Sequence, residues 1–375
     1  MDAKKWLDQV NTEVNACSLE VLRASNRNSD SSLLMIGCYE LNEETRERKG
    51  QLRLYSCGKE GSLFSNDETS GAPHLSEPVF VCECPGVLDG KWITFGRDND
   101  QKHFFASATA KGCVDVHILR KFGSGGEIKI ENVISGNQDS NTICLALDYI
   151  STQQSFSSQI LSSYSNGEIA IADFCINAEK IGFEERVRFN AHKLFGCASE
   201  VWSCSYFSTN TILTGADDCK LKGWDLRATS SPTFVIGESE HHAGVTCISK
   251  HPRKENIFAS GSYDEGLRIW DIRRLGTKGS EPLLKLDSVG GGVWRIKWHP
   301  EDENKMLVAA MHGGCRILRI NEWSHEEQAT LEVVNSFTEH KSMAYGADWI
   351  ESKSDKKSIY QASSCSFYDQ KAYIW

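Results

Sequence analysis

Along the chain, short apolar runs alternate with polar turns rich in Gly, Asp, Asn and Ser, and the 3.6-residue spacing of an amphipathic helix is almost absent. Only short stretches near Glu326 and from Lys4 to Asn11 fit a helical period. Two segments repeat one another. Leu213-Thr214-Gly215-Ala216-Asp217-Asp218 leads to Leu221-Lys222-Gly223-Trp224-Asp225, and Phe258-Ala259-Ser260-Gly261-Ser262-Tyr263-Asp264 leads to Leu267-Arg268-Ile269-Trp270-Asp271. In both, an Asp stands six positions before the Trp, and Trp224 and Trp270 lie 46 positions apart. That spacing is close to the ~40–45 residues of a WD repeat, the four-stranded unit of a β-propeller blade.

The same template, a strand, a turn and a strand ending at the Trp slot, finds weaker copies. Downstream are Met306 to Ala310 with Cys315 to Ile320, and Tyr360 to Ser364 with Ala372 to Trp375. Upstream are Ile160 to Tyr164 with Glu168 to Phe174, Phe104 to Thr109 with Val114 to Leu119, and Leu33 to Tyr39 with Gln51 to Tyr55. Each unit follows a further strand-like run: Leu19–Leu22, Gly86–Ile93, Thr142–Tyr149, Val201–Phe207, Val245–Ser249, Val293–Trp298 and Tyr345–Trp349. The count is seven, with the best-defined repeats at 191–227, 241–273, 290–320 and 340–375. The last unit lacks its fourth strand, and the unpaired run Val10 to Ala16 can supply it. The expected fold is therefore all-β: a single seven-bladed WD-repeat β-propeller whose ring is closed by the N-terminal strand. Ser151–Ser158, Gly123–Gly126 and Glu43–Lys49 read as loops.

Composition narrows the function. The 375 residues carry 41 Lys+Arg against 51 Asp+Glu, a net charge of −10 without a basic run, so nucleic acid is not an expected partner. Apolar stretches such as Leu33–Gly37 and Phe104–Ala108 are far shorter than the ~20 residues of a membrane span. The N-terminus lacks a signal peptide's apolar core, so a cytoplasmic protein, a monomer without membrane association, is expected. The 14 cysteines include no C-x-x-C, and most read as reduced small hydrophobes in strands, as at Cys38, Cys144 and Cys247. No cofactor or metal site is expected, and G-x-S-x-G, H-E-x-x-H and G-x-x-x-x-G-K-[ST] are all missing.

In a WD unit the turn Asp, a His from the preceding loop, a hydroxyl and the Trp form one hydrogen-bonded set. Blade four offers His192, Asp218, Thr214 and Trp224; blade five His242 or His241, Asp264, Ser260 and Trp270; blade seven His340, Asp369 and Trp375, with Cys365 in the hydroxyl slot. These sets read as structural. Blade six differs: its Trp slot is Leu318, its Asp slot is His312, and its preceding loop is Gly290-Gly291-Gly292. A histidine beside backbone amides that can form an anion-binding nest suits a general base beside an oxyanion hole. The plainer alternative is a turn histidine beside a tight loop. Trp202, Thr246, Trp294 and Tyr345 align at the start of successive inner strands, where the three aromatic rings could box a quaternary ammonium or simply pack between blades. Glu200 would add negative charge, and Arg295 and Lys297 could hold a carboxyl group or be paired elsewhere.

At these residues the sequence resembles a known family. Gly291-Gly292-Val293-Trp294-Arg295-Ile296-Lys297-Trp298-His299-Pro300, Met311-His312-Gly313-Gly314, Tyr345-Gly346-Ala347-Asp348-Trp349 and Ser364-Cys365-Ser366-Phe367-Tyr368-Asp369 are similar to the WD-repeat methylesterase of diphthamide biosynthesis. Gly261-Ser262-Tyr263-Asp264-Glu265 and Gly223-Trp224-Asp225-Leu226-Arg227 fit as well. The likeness is strong from about Ala191 onward and weak before it. It implies that the substrate is elongation factor two bearing methylated diphthine, a modified histidine with a trimethylammonium group and a methyl ester, and that the ester is hydrolysed to diphthine. It carries no assignment of catalytic residues. From the residues themselves, Trp202, Trp294 and Tyr345 are expected to hold the ammonium, with Glu200 and Arg295 beside them. His312 is expected to activate water, and the Gly290–Gly292 amides, those of Gly291 and Gly292 among them, to stabilise the oxyanion. Asp348 or Asp369 would orient the histidine, and Cys365 is a weaker candidate nucleophile. The competing reading is a non-catalytic WD-repeat adaptor.

Overall fold

The computed structural model describes residues 6–22, 32–59, 73–75, 77–96, 101–122, 127–136, 139, 141–151, 156–176, 181–276, 281–323, 329–354 and 357–375. The loop expected at Gly123–Gly126, residues 152–155 of that expected at Ser151–Ser158, and the helical stretch near Glu326 lie outside the described residues; Ser151 and Ser158 are strand residues paired with each other, so that loop is shorter than expected. Within them, six sheets have four strands, one has five, and each is antiparallel. The inner strands that line the central channel are Ala16–Leu22, Val87–Phe95, Cys144–Ser151, Ser203–Ser208, Val245–Lys250, Arg295–Trp298 and Ala344–Ser354, for blades one to seven in turn. Alternation is what shapes each wedge: small and apolar side chains face the neighbouring blade, so the core is a series of seams. One seam joins Leu267 and Ile269 of blade five to Met306, Val308 and Leu318 of blade six.

The ring closes as the repeat arithmetic requires, with one correction. The closing strand is Asp8–Asn11, paired with Lys371–Ile374, and Ala16 instead begins the inner strand of blade one. The apparent helical period from Lys4 gives way because the free edge of blade seven offers ladder hydrogen bonds that a solvated helix turn would not match.

Inner strands are stitched to one another through polar side chains. Carboxylate oxygens of Asp348, Asp89 and Asp148 accept the amides of Val21, Leu147 and Tyr206 on the next blade, at 3.0, 3.0 and 2.7 Å. Lower in the channel the indoles of Trp92, Trp298 and Trp349 donate back to the carbonyls of Glu20, Ser249 and Lys297, at 3.3, 3.2 and 3.0 Å. Each bond satisfies a buried backbone group that no ladder reaches, so it fixes blade against blade.

Candidate functional site: an aromatic wall at the channel mouth

The histidine loops and turn aspartates share one face, here the upper face, where the inner strands begin. Trp202 and Trp294 each stand one residue before an inner strand, and Tyr345 is the second residue of its own. The structure brings these three rings together and adds a fourth. Tyr263, from the turn of blade five, lies 6.2 Å from Trp202 and 6.0 Å from Trp294, while Trp202 and Trp294 are 5.8 Å apart and Trp294 and Tyr345 4.8 Å. The series continues through Phe367 to Tyr39 of blade one. At these separations the rings touch edge to face or tilted, so they form a continuous wall rather than a separated box. Thr246 contributes no ring: its hydroxyl donates to the carbonyl of Val293, tying blade five to blade six. Tyr263 is the ring that sequence reasoning missed. The signal was present, since Tyr263 occupies the turn position that Asp217 fills in blade four and Tyr368 in blade seven.

Charge and polarity around the wall are one-sided. The indole of Trp202 donates to Asp217 Oδ1 at 3.2 Å, and the Asp217 amide donates to the Glu200 carbonyl at 2.9 Å. Burial, followed by Asp217 and Glu200, pushes the Tyr263 phenol up to about 12. The Tyr345 hydroxyl meets Met343 Sδ at 3.2 Å. Trp294 Nε1 is buried and has no hydrogen-bond partner among the described residues. An unmatched buried donor is costly, and a ligand acceptor would satisfy it.

Beneath the wall the channel is crossed by ion pairs, which line a cavity of about 370 Å³. Arg295 Nη2 lies 3.1 Å from Asp89 Oδ1, Lys91 Nζ 3.0 Å from Glu20 Oε1, and Lys297 Nζ 2.6 Å from the same Glu20 oxygen. Burial alone would push Asp89 up, but Arg295, Lys91, the Leu147 amide and Lys297 outweigh it and hold the carboxyl below the usual range. Arg295 and Lys297 are therefore committed to the protein's own carboxylates, the paired alternative, which corrects the assignment of Arg295 to the substrate. They form the floor of the mouth.

Blade six departs from the repeat in backbone as well as composition. In blades four, five and seven the positive-φ residue follows the turn Asp: Cys219 at 59°, Glu265 at 68° and Gln370 at 54°. In blade six positive φ moves to Met311 at 43° and Gly314 at 78°, on either side of His312–Gly313. A left-handed methionine is a strained choice that the surroundings must enforce. They do so from two sides: Met311 bridges to Ala344, next to Tyr345, and the Gly290–Gly292 loop presses against the turn. A Cβ on Gly291 would come within 2.2 Å of the Ala310 carbonyl oxygen and 2.7 Å of the Gly313 amide, so only glycine fits there. His312 and the glycine loop are thus neighbours, as expected. The His312 side chain is exposed, and neither its ring nor the amides of Gly291 and Gly292 hydrogen-bond to another described residue. With Leu318 in the Trp slot and Val308 in the hydroxyl slot, both buried, no histidine is needed to complete a polar set here.

Three of the expected supporting roles do not match the geometry. Asp348 is buried, accepts the Val21 and Trp349 amides and lies 3.7 Å from Lys297, a stitching residue rather than an orienter of His312. Asp369 accepts from Ser366 and from the Lys341 amide and faces His340 at 4.0 Å. Cys365 is fully buried against blade one, and burial pushes its thiol well above the usual range, away from a thiolate nucleophile.

The structural sets form largely as read. His192 joins Asp218 at 2.9 Å and Thr214 at 2.7 Å, and Trp224 donates to the same hydroxyl at 2.9 Å. In blade five the ring is His241, 2.9 Å from Ser260, while Asp264 takes the His242 amide and Arg268. In blade seven the hydroxyl is Ser364, bound by His340 and Trp375 at 2.8 and 3.1 Å, and not Cys365. The reason is register: with Ser366 paired to Lys371 the turn is one residue shorter than between Gly215 and Leu221, which moves the facing position back by one.

Residues 186–225 and 233–271 match the family described as WD domain, G-beta repeat. Over 306 residues the chain is 34% identical to the Diphthine methyltransferase homolog of Dictyostelium discoideum, covering 77% of this chain and 76% of that protein. The chain belongs to the diphthine methyltransferase family. The family member from Mus musculus, Diphthine methyltransferase, is 31% identical over 360 residues, 92% of this chain and 69% of its own. That of Schizosaccharomyces pombe is 28% identical over 347 residues, 92% and 90%. Family likeness thus extends well beyond the two WD stretches and takes in the blades that carry the aromatic wall.

Proposed function

We propose that this family member hydrolyses the methyl ester of methylated diphthine on elongation factor two, releasing methanol and leaving diphthine. The observation that carries the reading is the aromatic wall of Trp202, Tyr263, Trp294 and Tyr345 with Asp217 and Glu200 at its edge. Aromatic faces beside carboxylates attract a trimethylammonium group, by about 0.5–2 kcal/mol per ring, and no lysine or arginine among the described residues stands over these four rings. The ester then reaches blade six. His312 takes a proton from water as the oxygen attacks the ester carbonyl, the Gly291 and Gly292 amides donate to the oxyanion, and the proton passes to methoxide as it leaves. Arg295 and the other floor cations are held by the protein's own carboxylates and repel the ammonium, so the modified side chain lies across the mouth.

The test is methanol release from elongation factor two bearing methylated diphthine, with purified protein and with a labelled methyl donor supplied in a parallel reaction. Stoichiometric methanol together with diphthine is expected. Transfer of label onto diphthine would establish a methyltransferase instead, and neither product would favour the adaptor reading.

A further inference from the structure

We propose that the hairpin Lys193–Ala198 is a docking anchor that recognises the folded protein carrying the modified side chain, separately from the side chain itself. The proposal rests on the functional reading above. Lys193–Leu194 pairs with Cys197–Ala198 as a two-stranded sheet of its own, and all of its residues are exposed. Phe195 and Gly196 form the turn with φ of 50° and 84°, the two positive values of a tight hairpin turn that fixes the direction of its tip. Phe195 is 98% exposed and Leu194 37%. The base is firm: His192 and Ser199, just outside the hairpin, are buried, and a Cβ on Gly167 would lie 2.4 Å from the His192 carbonyl oxygen and 3.4 Å from the Ser199 amide. A full phenyl ring held in water on a pinned two-residue turn gives nothing to the fold, and such an aromatic is what protein interfaces use as an anchor.

Position and charge name the occupant. Glu200 follows the hairpin after one buried residue, and Trp202 follows Glu200 by two, so the base of the hairpin adjoins the rim of the aromatic wall. Acidic groups outnumber the cation Lys220 of the same turn: Glu200 and Asp217 stand together beside Tyr263, and Glu238 and Asp217, after burial, push up the Cys219 thiol. Lys193 is the hairpin's own base. A short modified peptide filling the mouth need not reach Phe195. A folded protein with a basic surface and an apolar pocket beside its modified residue would meet both the rim and the tip.

The experiment compares two substrates, intact elongation factor two bearing methylated diphthine and a short proteolytic peptide containing the same residue, with wild type, Phe195→Ser and a control, Val235→Ser. Val235, 48% exposed, lies on the outer strand Phe234–Ile236 of blade four, outside both the hairpin and the four rings of the wall. Phe195→Ser is expected to raise KM for the intact factor about thirtyfold, the size of a loss at an interface hot spot, with kcat and the peptide reaction as in wild type and an unchanged melting temperature. Val235→Ser should match wild type on both. Raised salt should lower kcat/KM for the intact factor more than for the peptide. An unchanged KM for the intact factor, or an equal loss on both substrates, overturns the docking role. If wild type releases methanol from neither substrate, the hydrolase reading has failed, and the hairpin is then judged by affinity for the intact modified factor alone: weaker binding by Phe195→Ser supports it and equal binding overturns it.

Discussion

Arg295 of blade six reaches across the central channel to Asp89 of blade two, with Nη2 3.1 Å from Oδ1. The pair joins blades far apart in the ring, and Asp89 also accepts the Leu147 amide of blade three. Replacing Arg295 by Met keeps the bulk and leaves Asp89 buried with Lys91 as its remaining close cation. Breaking a buried pair from one side costs about 3–5 kcal/mol. Urea unfolding should show a loss of that order for Arg295→Met, partly recovered in the double variant with Asp89→Asn. Wild-type stability in the single variant would show that the pair contributes nothing.

The aromatic wall predicts a binding defect with a charge signature. Trp294→Ala removes the ring that touches Trp202, Tyr263 and Tyr345, and should raise KM for the methylated substrate by about tenfold. Trp294→Phe should lie between, since it keeps a ring but loses Nε1. The sharper measurement uses a substrate analogue in which a neutral tert-butyl group replaces trimethylammonium. Wild type should bind it more weakly than the cation, and Trp294→Ala should narrow that difference; equal affinity of wild type for the two would leave no role for cation–π attraction.

Much of this was legible in the residues, and the misses have physical causes. Strand period, the Trp and Asp slots and the missing fourth strand predicted seven blades, because alternation and turn chemistry are local properties. Ser364 was misread as Cys365 because register depends on turn length, which a template with fixed spacing does not see. Trp202, Trp294 and Tyr345 were found since they share a strand position, whereas Tyr263 enters from a turn and only three-dimensional convergence shows it. Arg295 and Asp348 looked like site residues because charge at a channel mouth is ambiguous until its partner, here on another blade, is known. The hairpin at Phe195 left no repeat signature at all.

His312 separates chemistry from folding. Its side chain is exposed and supports no hydrogen bond within the described residues, so His312→Ala should change unfolding free energy by no more than about 0.5 kcal/mol. As general base it should carry a factor of about 10²–10⁴ in kcat with little change in KM. A single-turnover methanol assay on the folded variant gives the answer: retention of most of the rate would move the base to another group.

Closure can be tested by shortening. Asp8–Asn11 is the fourth strand of blade seven, and Val10 packs against the seam that includes Ala372 and Ile374. Removing residues 1–11 should expose the edge of Lys371–Ile374 and yield aggregated protein or one with a clearly lowered melting temperature. A melting transition at the wild-type temperature would mean that the ring does not depend on this strand.

The buried histidines predict how stability responds to acid. Burial holds His241 down to about 3 and His117 and His340 to about 4, and it outweighs Asp218 to lower His192 too. These rings are neutral in the fold and titrate near 6.5 once unfolded. Below that value the unfolded chain binds more protons than the native one, so stability is whole above about 6.5 and falls as pH drops toward the folded values. Each ring contributes at most about 1.4 kcal/mol per pH unit in that window. Asp148 acts in the opposite sense, since burial pushes its carboxyl up and its protonation favours the fold as pH falls. The depressed Asp89 adds to the loss only below about 4. Unfolding free energy should therefore drop by about 3–4 kcal/mol between pH 7.5 and 5.5. His241→Gln, less stable overall for want of the Ser260 bond, should show a smaller drop across the same interval, and a profile as steep as wild type's would place the acid sensitivity elsewhere.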